Sequence, residues 1–311
     1  MSRALALGVV GTLAFASAAH AAPLRVRDAG PVGLDARDDG RRRIASATGD
    51  GPVSVLDVVT GTRMTVPTPG GCRFADVARG GSLLWNCAAP NRPFGSGVIR
   101  DLATGRAAVL AAQRPPPPTT PDSASYSALG RRWARVTFFG YHYSFDVYVD
   151  RRTGRQVRPD ERNRNRVPDL DASPLTRALC SGMQRPLIPD GLGTGVEPGP
   201  LAVAGRNAAA TSYDRRAVRG RVLLERCGRA PELLQRCHLP AYCSQPVIDD
   251  RFVAWTVDRW SPGRGSTLHV RSLKTGRARS LQLLTAPAPT LMLVAHRLFL
   301  ASEGRMLRVS L

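Results

Sequence analysis

One phrase recurs along this chain. It is a run of alternating apolar residues, a polar gap, then a second alternating run that ends in a tight turn. The clearest copy joins Phe252-Val253-Ala254-Trp255-Thr256 to Leu268-His269-Val270-Arg271-Ser272-Leu273 and turns at Lys274-Thr275-Gly276-Arg277. Aligned on the turn glycine, the copies carry Gly61, Gly105, Gly154, Gly228 and Gly276, spaced 44, 49, 74 and 48 residues apart. Glycine suits that position because a short hairpin loop needs a residue at positive φ. A period of two puts one set of side chains on one sheet face. A strand pair cannot bury such a face alone, but repeated pairs stacked side by side can. The expectation is an all-β chain folded as a β-propeller of six blades, with seven as the alternative.

A sixth copy is cut short. Arg297-Leu298-Phe299-Leu300-Ala301, a Glu303-Gly304 turn and Met306-Leu307-Arg308-Val309-Ser310-Leu311 leave it without a fourth strand. Leu24-Arg25-Val26-Arg27 alternates and has no partner of its own. This N-terminal strand is expected to pair with the C-terminal blade and close the ring, because an open edge exposes unpaired backbone groups. Residues 158–200, polar and proline-bearing, read as a loop insertion; a degenerate seventh blade is the other reading. Pro115-Pro116-Pro117-Pro118 reads as a stiff spacer between repeats.

Residues 1–21 have the form of a secretory signal. Arg3 supplies the positive charge, Ala4 to Ala18 the apolar stretch and Ala19-His20-Ala21 the small-x-small cleavage site. A single propeller domain is expected over 22–311, secreted or held in the extracytoplasmic envelope, with no transmembrane segment. The six cysteines, Cys72, Cys87, Cys180, Cys227, Cys237 and Cys243, all follow the signal, and an even number in an exported chain argues for disulfides. Cys72 opens the strand before Leu83–Cys87, so Cys72 and Cys87 are expected to pair across one hairpin. Cys227 is expected to pair with Cys243 or Cys237, leaving Cys180 for the last. No CxxC spacing occurs, and no metal or cofactor is expected.

The net charge of +20 resembles a nucleic-acid signal. The arginines are spread over every repeat, however, and not gathered in one stripe, so no nucleic-acid partner is expected. An acidic glycan or another cell-envelope polymer remains a fitting partner for a basic exported surface, as does a protein.

No catalytic signature is present. The histidines form no HExxH, and Gly95-Ser96-Gly97 lacks the strand-to-helix context of a nucleophile elbow. Asp169-Leu170-Asp171 and Asp249-Asp250 read as turn residues. One constellation stands out. The loops joining second to third strands carry Phe94, Phe139, Tyr141, Tyr143, Tyr213 and Trp260, six of the chain's 18 aromatic residues. They also carry His142, Arg216 and Arg264. Exposed aromatics beside arginine donors suit stacking on sugars or recognition of a protein. The candidate ligand-binding residues are Phe94, Tyr141, His142, Tyr143, Tyr213, Arg216, Trp260 and Arg264; capping of the blade ends is the competing reading.

Two half-blades carry a family likeness: Thr267-Leu268-His269-Val270-Arg271-Ser272-Leu273-Lys274-Thr275-Gly276-Arg277 and Ile99-Arg100-Asp101-Leu102-Ala103-Thr104-Gly105-Arg106. In these the chain resembles the TolB-like six-bladed β-propellers of exported bacterial proteins. It departs from them before each second strand, where the family's proline-aspartate-glycine turn is replaced by Arg79-Gly80-Gly81, Leu129-Gly130-Arg131 and Asp249-Asp250-Arg251. The expected function is non-catalytic binding of a protein or glycan through the inter-strand loops. The alternative is a propeller enzyme, a polysaccharide lyase or hydrolase, with Asp50, His142, Asp214 and Asp258 around the central funnel.

Overall fold

The computed structural model describes residues 24–88, 95–111, 121, 123–140, 143–158, 196–204, 207–214, 219–226, 229–259, 265–283 and 289–311. Strand β1 (Arg25–Pro31) stands apart from the strands that follow it. Sheet I holds β2 (Asp35–Asp38), β3 (Arg43–Ala47), β4 (Val53–Asp57) and β5 (Arg63–Val66). Sheet II holds β6 (Cys72–Ala78), β7 (Ser82–Cys87), β8 (Ser96–Asp101) and β9 (Ala107–Ala111). Sheet III holds β10 (Ser123–Leu129), β11 (Trp133–Gly140), β12 (Tyr143–Asp150) and β13 (Gln156–Val157). Sheet IV holds β14 (Val196–Ala204), β15 (Asn207–Asp214), β16 (Arg219–Arg226) and β17 (Glu232–His238). Sheet V opens with two short pieces, β18 (Ala241–Cys243) and β19 (Val247–Ile248). Both pair with β20 (Phe252–Arg259), and β21 (Ser266–Ser272) and β22 (Ala278–Leu283) follow. Sheet VI holds β23 (Thr290–Val294), β24 (Arg297–Ser302) and β25 (Arg305–Ser310), with β1 as its fourth strand. Every pairing is antiparallel, and apart from β1 in sheet VI the strands of each sheet follow one another in chain order.

Second strands are among the most buried. Leu83, Leu84 and Trp85 of β7 are shut from solvent, as are Ala134 and Val136 of β11 and Val253 and Ala254 of β20. A strand covered on both faces loses its alternation, which is why these segments read as short continuous apolar runs. Five apolar cores lie between consecutive sheets. Val55, Phe74 and Trp85 join I to II, and Leu84, Val136 and Phe138 join II to III. Leu224, Val253 and Trp255 join IV to V, Leu268, Leu298 and Leu300 join V to VI, and Ile44, Met292 and Phe299 join VI to I. Packing is close: Tyr126 of sheet III lies so near Gly97 of sheet II that a Cβ there would sit 2.9 Å from the ring. Its hydroxyl donates to the Leu110 carbonyl at 2.9 Å. First strands are neighbours in turn: β2 beside β6, β6 beside β10, β14 beside β19, β19 beside β23, and β23 beside β2.

The repeated turn has one geometry. Gly61, Gly105, Gly154 and Gly276 take φ of 77°, 70°, 72° and 71°. The N–H of each donates to the carbonyl four residues back, at 2.8–2.9 Å. Asp57, Asp101 and Asp150 cap three of these turns, each accepting two backbone N–H groups on Oδ1. At Asp101 the Thr104 N–H is the main influence and holds the carboxyl below its ordinary range.

The N-terminal strand supplies the strand that sheet VI lacks. Arg25 lies opposite Ser310, Val26 opposite Val309 and Arg27 opposite Arg308. Arg305 pairs with Asp28, and the Val32 N–H donates to the Gly304 carbonyl at 2.9 Å. Arg63 of sheet I reaches back to the carbonyls of Ala29 and Pro31, at 2.6 and 3.1 Å.

Cys72 and Cys87 stand directly opposite in register and are disulfide-bonded. The expected partners of Cys227 are not: Cys237 and Cys243 bond to each other and close a six-residue loop. The local pair wins because the chain leaves β17 and enters β18 within that span. Cys180 and Cys227 lie outside the described residues. The expected insertion at 158–200 also ends too late. Val196 already begins β14, whose Val196, Glu197 and Pro198 lie opposite Asp214, Tyr213 and Ser212; residues 159–195 and the Pro115–Pro118 spacer lie outside the described residues.

Removing residues 24–31 leaves β25 with an unpaired edge. The truncated chain is expected to form larger assemblies than the full chain, measured by light scattering after gel filtration. An unchanged size distribution would show that β1 protects nothing.

Candidate functional site

Antiparallel order sorts every connection to one of two ends. Turns after first and third strands emerge at one, the turn end. Connections after second and fourth strands emerge at the other, the loop end.

At the turn end, the turns after the first strands of five sheets converge on a cavity of about 500 Å³. Asp38 and Arg41 line it from sheet I, Arg79 from II, Ala204 from IV, Asp249 and Asp250 from V, and His296 from VI. A second cavity of about 510 Å³ continues along the first strands, lined by Arg37, Asp38, Ser244, Val247 and Leu291. The turn Ala295-His296 takes φ of 49° and 58°, which swings His296 towards sheet V. Its Nδ1 lies 2.9 Å from Asp249 Oδ2 and 3.2 Å from Asp250 Oδ1. Asp249 Oδ1 is already occupied, accepting the N–H groups of Arg251 and Phe252 at 2.7 Å. The three ligand atoms lie within 4.8 Å of one another, a spacing that a divalent ion could bridge. As they stand, the imidazole Nδ1 faces one oxygen of each carboxylate, and the cluster ties sheet V to sheet VI.

Two carboxylates deeper in have unusual protonation. Asp38 is half-buried and lines both cavities; burial pushes its carboxyl up to about 7, against the Gly40 N–H, which favours the anion. Asp76 on β6 accepts the Leu129 N–H at 2.7 Å, and burial pushes it up to about 6. Few donors offset the desolvation, so Asp38 titrates near neutrality and Asp76 somewhat below it.

The loop end is where the sequence placed its binding residues. Phe94, Tyr141, His142, Arg216, Trp260 and Arg264 lie outside the described residues. Tyr143 and Tyr213 sit at strand ends beside those loops, opposite Gly140 and Gly220. Four other large apolar side chains are exposed at this end: Leu34 (68%), Phe139 (43%), Leu239 (59%) and Tyr242 (50%). Leu239 and Tyr242 ride on the loop that the Cys237–Cys243 bond closes. Sequence reasoning missed Leu34, Leu239 and Tyr242 because it followed only second-to-third strand loops. The connections from fourth strands to the next sheet emerge at the same end.

Of the residues of the enzyme alternative, Asp50 and Asp258 have described side chains, and neither lines the cavities between the first strands. Asp50 sits on an exposed turn, 3.1 Å from Arg73. Asp258 is buried at the end of β20, a second strand, where Thr256 Oγ1 donates to it at 3.2 Å. His142 lies outside the described residues. The groups that do line the cavity, Asp38, Asp249, Asp250 and His296, come from turns after first strands. His269 is half-buried and stacks on Trp255 at 5.4 Å; burial pushes its pKa down.

No family model matches the chain, and no curated protein matches it. Its structural neighbours are TolB and other β-propeller proteins. The β-propeller domain of the Trilobed protease from Pyrococcus furiosus is 11% identical at a TM-score of 0.49, covering 90% of this chain and 94% of that domain. A prolyl endopeptidase is 14% identical at 0.48, covering 89% of this chain. TolB from Acinetobacter baumannii is 13% identical at 0.39, covering 88%. The chain spans 45% of the endopeptidase and 65% of that TolB. Likenesses this distant assign no activity, and the fold rests on the sheets themselves. Among the described residues no helix is long and apolar enough to cross a membrane.

The buried carboxylates set a pH dependence of known sign. Asp38 ionises near 7 when folded and near the ordinary 3.8 when unfolded. Its contribution to stability is greatest below about pH 4 and falls as pH rises through 7. Asp38→Asn keeps an acceptor for the Gly40 N–H and removes the charge. The variant is expected to match the parent at about pH 3.5 and to exceed its urea midpoint at pH 8. Equal differences at both pH values would remove Asp38 as the cause.

Proposed function

We propose that this chain is an extracytoplasmic, non-catalytic propeller of six blades that binds a protein through its loop end. The ring reading is supported by β1 on β25, β23 beside β2, and cores at five of six joints between described sheets. The extracytoplasmic reading is supported by the signal-like residues 1–21 and by two disulfides, which persist in oxidising compartments.

The observation that carries the binding reading is the gathering of Leu34, Phe139, Leu239 and Tyr242 at one end. Exposed aliphatic and aromatic side chains of this size mark contact surfaces when the topology draws them together. Leu34 and Leu239 favour a protein over a glycan, because sugars stack on flat rings. The disulfide-closed loop holds Leu239 and Tyr242 in place before contact, which lowers the ordering cost of binding.

A photo-crosslinking amino acid at position 242 is expected to capture one defined partner in the exporting cell, while the same group at Val109, on an outer strand, captures none. In the purified complex, Leu239→Ala with Tyr242→Ala is expected to weaken affinity at least tenfold, about 1.4 kcal/mol. Capture from both positions alike, or an unchanged affinity, would overturn the reading. Loss of binding to an acidic glycan in place of a protein would move the ligand class to sugars.

A further inference from the structure

Among the described residues, the fold brings basic turns of several sheets to one end. The described turns after first and third strands carry thirteen basic side chains against three acidic ones. After first strands these are Arg41, Arg42, Arg79, Arg131, Arg132 and Arg251, opposed by Asp39, Asp249 and Asp250. Before fourth strands they include Arg106, Arg155, Arg229, Lys274 and Arg277, with no acid. Strand-terminal residues at the turn end cancel, five of each sign, so the turns decide the balance.

Part of this charge is used within the fold. Arg42 pairs with Asp57 and Arg132 with Asp150. Arg151 donates to Gly130 and Arg131 carbonyls and to Ser82 Oγ of the neighbouring sheet. Arg41, Arg106, Arg155, Arg229, Arg251 and Arg277 are exposed at turn tips on five different sheets.

We propose that the turn end docks on an anionic lipid surface. Charges spread over the tips of five sheets all meet a plane at once, whereas a linear polyanion could cross only some of them. Guanidinium groups offer forked donors that match phosphate oxygens. Basic residues near an anionic leaflet act additively and are weakened by salt. Docked this way, the molecule turns its apolar loop end towards the solution. The inference rests on the turn charges alone and stands whether or not the loop end binds a protein.

The test uses the mature chain and vesicles of phosphatidylcholine with and without about one third phosphatidylglycerol. Co-sedimentation is expected with the anionic vesicles only, and it is expected to fall as salt rises. Arg155→Gln with Arg277→Gln is expected to reduce vesicle affinity at least tenfold, with an unchanged thermal midpoint. Arg73→Gln with Arg259→Gln removes the same charge from exposed sites at the loop end, and is expected to leave affinity within twofold. Binding to neither vesicle, equal binding to both, or equal loss in the two variants would overturn the proposal. Tighter binding to soluble polyphosphate or heparin than to vesicles would also overturn it and make the partner a soluble polyanion.

Discussion

The structure depends on sheets packed face to face. A four-stranded meander with one apolar face is not stable alone; its second strand becomes a core strand only when the next sheet covers it. Ile44, Trp85, Val136, Trp255 and Leu298 are buried because each lies in an apolar core between its own sheet and a neighbouring one. Once that stacking is imposed, the first strands become mutual neighbours and the fourth strands face outward. The exposed Met64 and Val109 on fourth strands reflect the same geometry. So does the placement of polar groups, which survive between first strands where a cavity remains.

Much of this was legible in the sequence, for local reasons. Turn glycines announce themselves because the backbone at Gly105 or Gly276 takes a conformation that other residues resist. The Cys72–Cys87 bridge follows from register across one hairpin. The role of β1 followed from counting edges. What escaped was whatever depends on bringing turns from different sheets together. His296 and Asp249 are 47 positions apart and meet because both follow first strands. The acidic pair at 249–250 carried no signal of that meeting. Cys227 was given a partner from the next strand junction, yet Cys237 and Cys243 flank a shorter detour.

The charge pattern obeys the same rule. In an ordinary domain, basic residues dispersed along the chain stay dispersed in space. In a repeated meander, residues that recur at the repeat spacing come to the same end. Asp57 and Asp150 accept backbone N–H groups beneath their turns and also pair with Arg42 and Arg132, so they offset part of the charge there. A composition count therefore says little here until each residue is assigned to a turn or a strand.

The pairing of Arg25 with Ser310 also governs how the molecule can be made. Strand β1 finds its partner only after sheets I to V have been made. Sheets I and II can assemble from local segments while synthesis continues, but sheet VI must wait. Until β25 arrives, β1 is a tethered, unmatched edge. For a chain threaded through a translocation pore, sheet VI is complete only once β25 has emerged on the same side as β1.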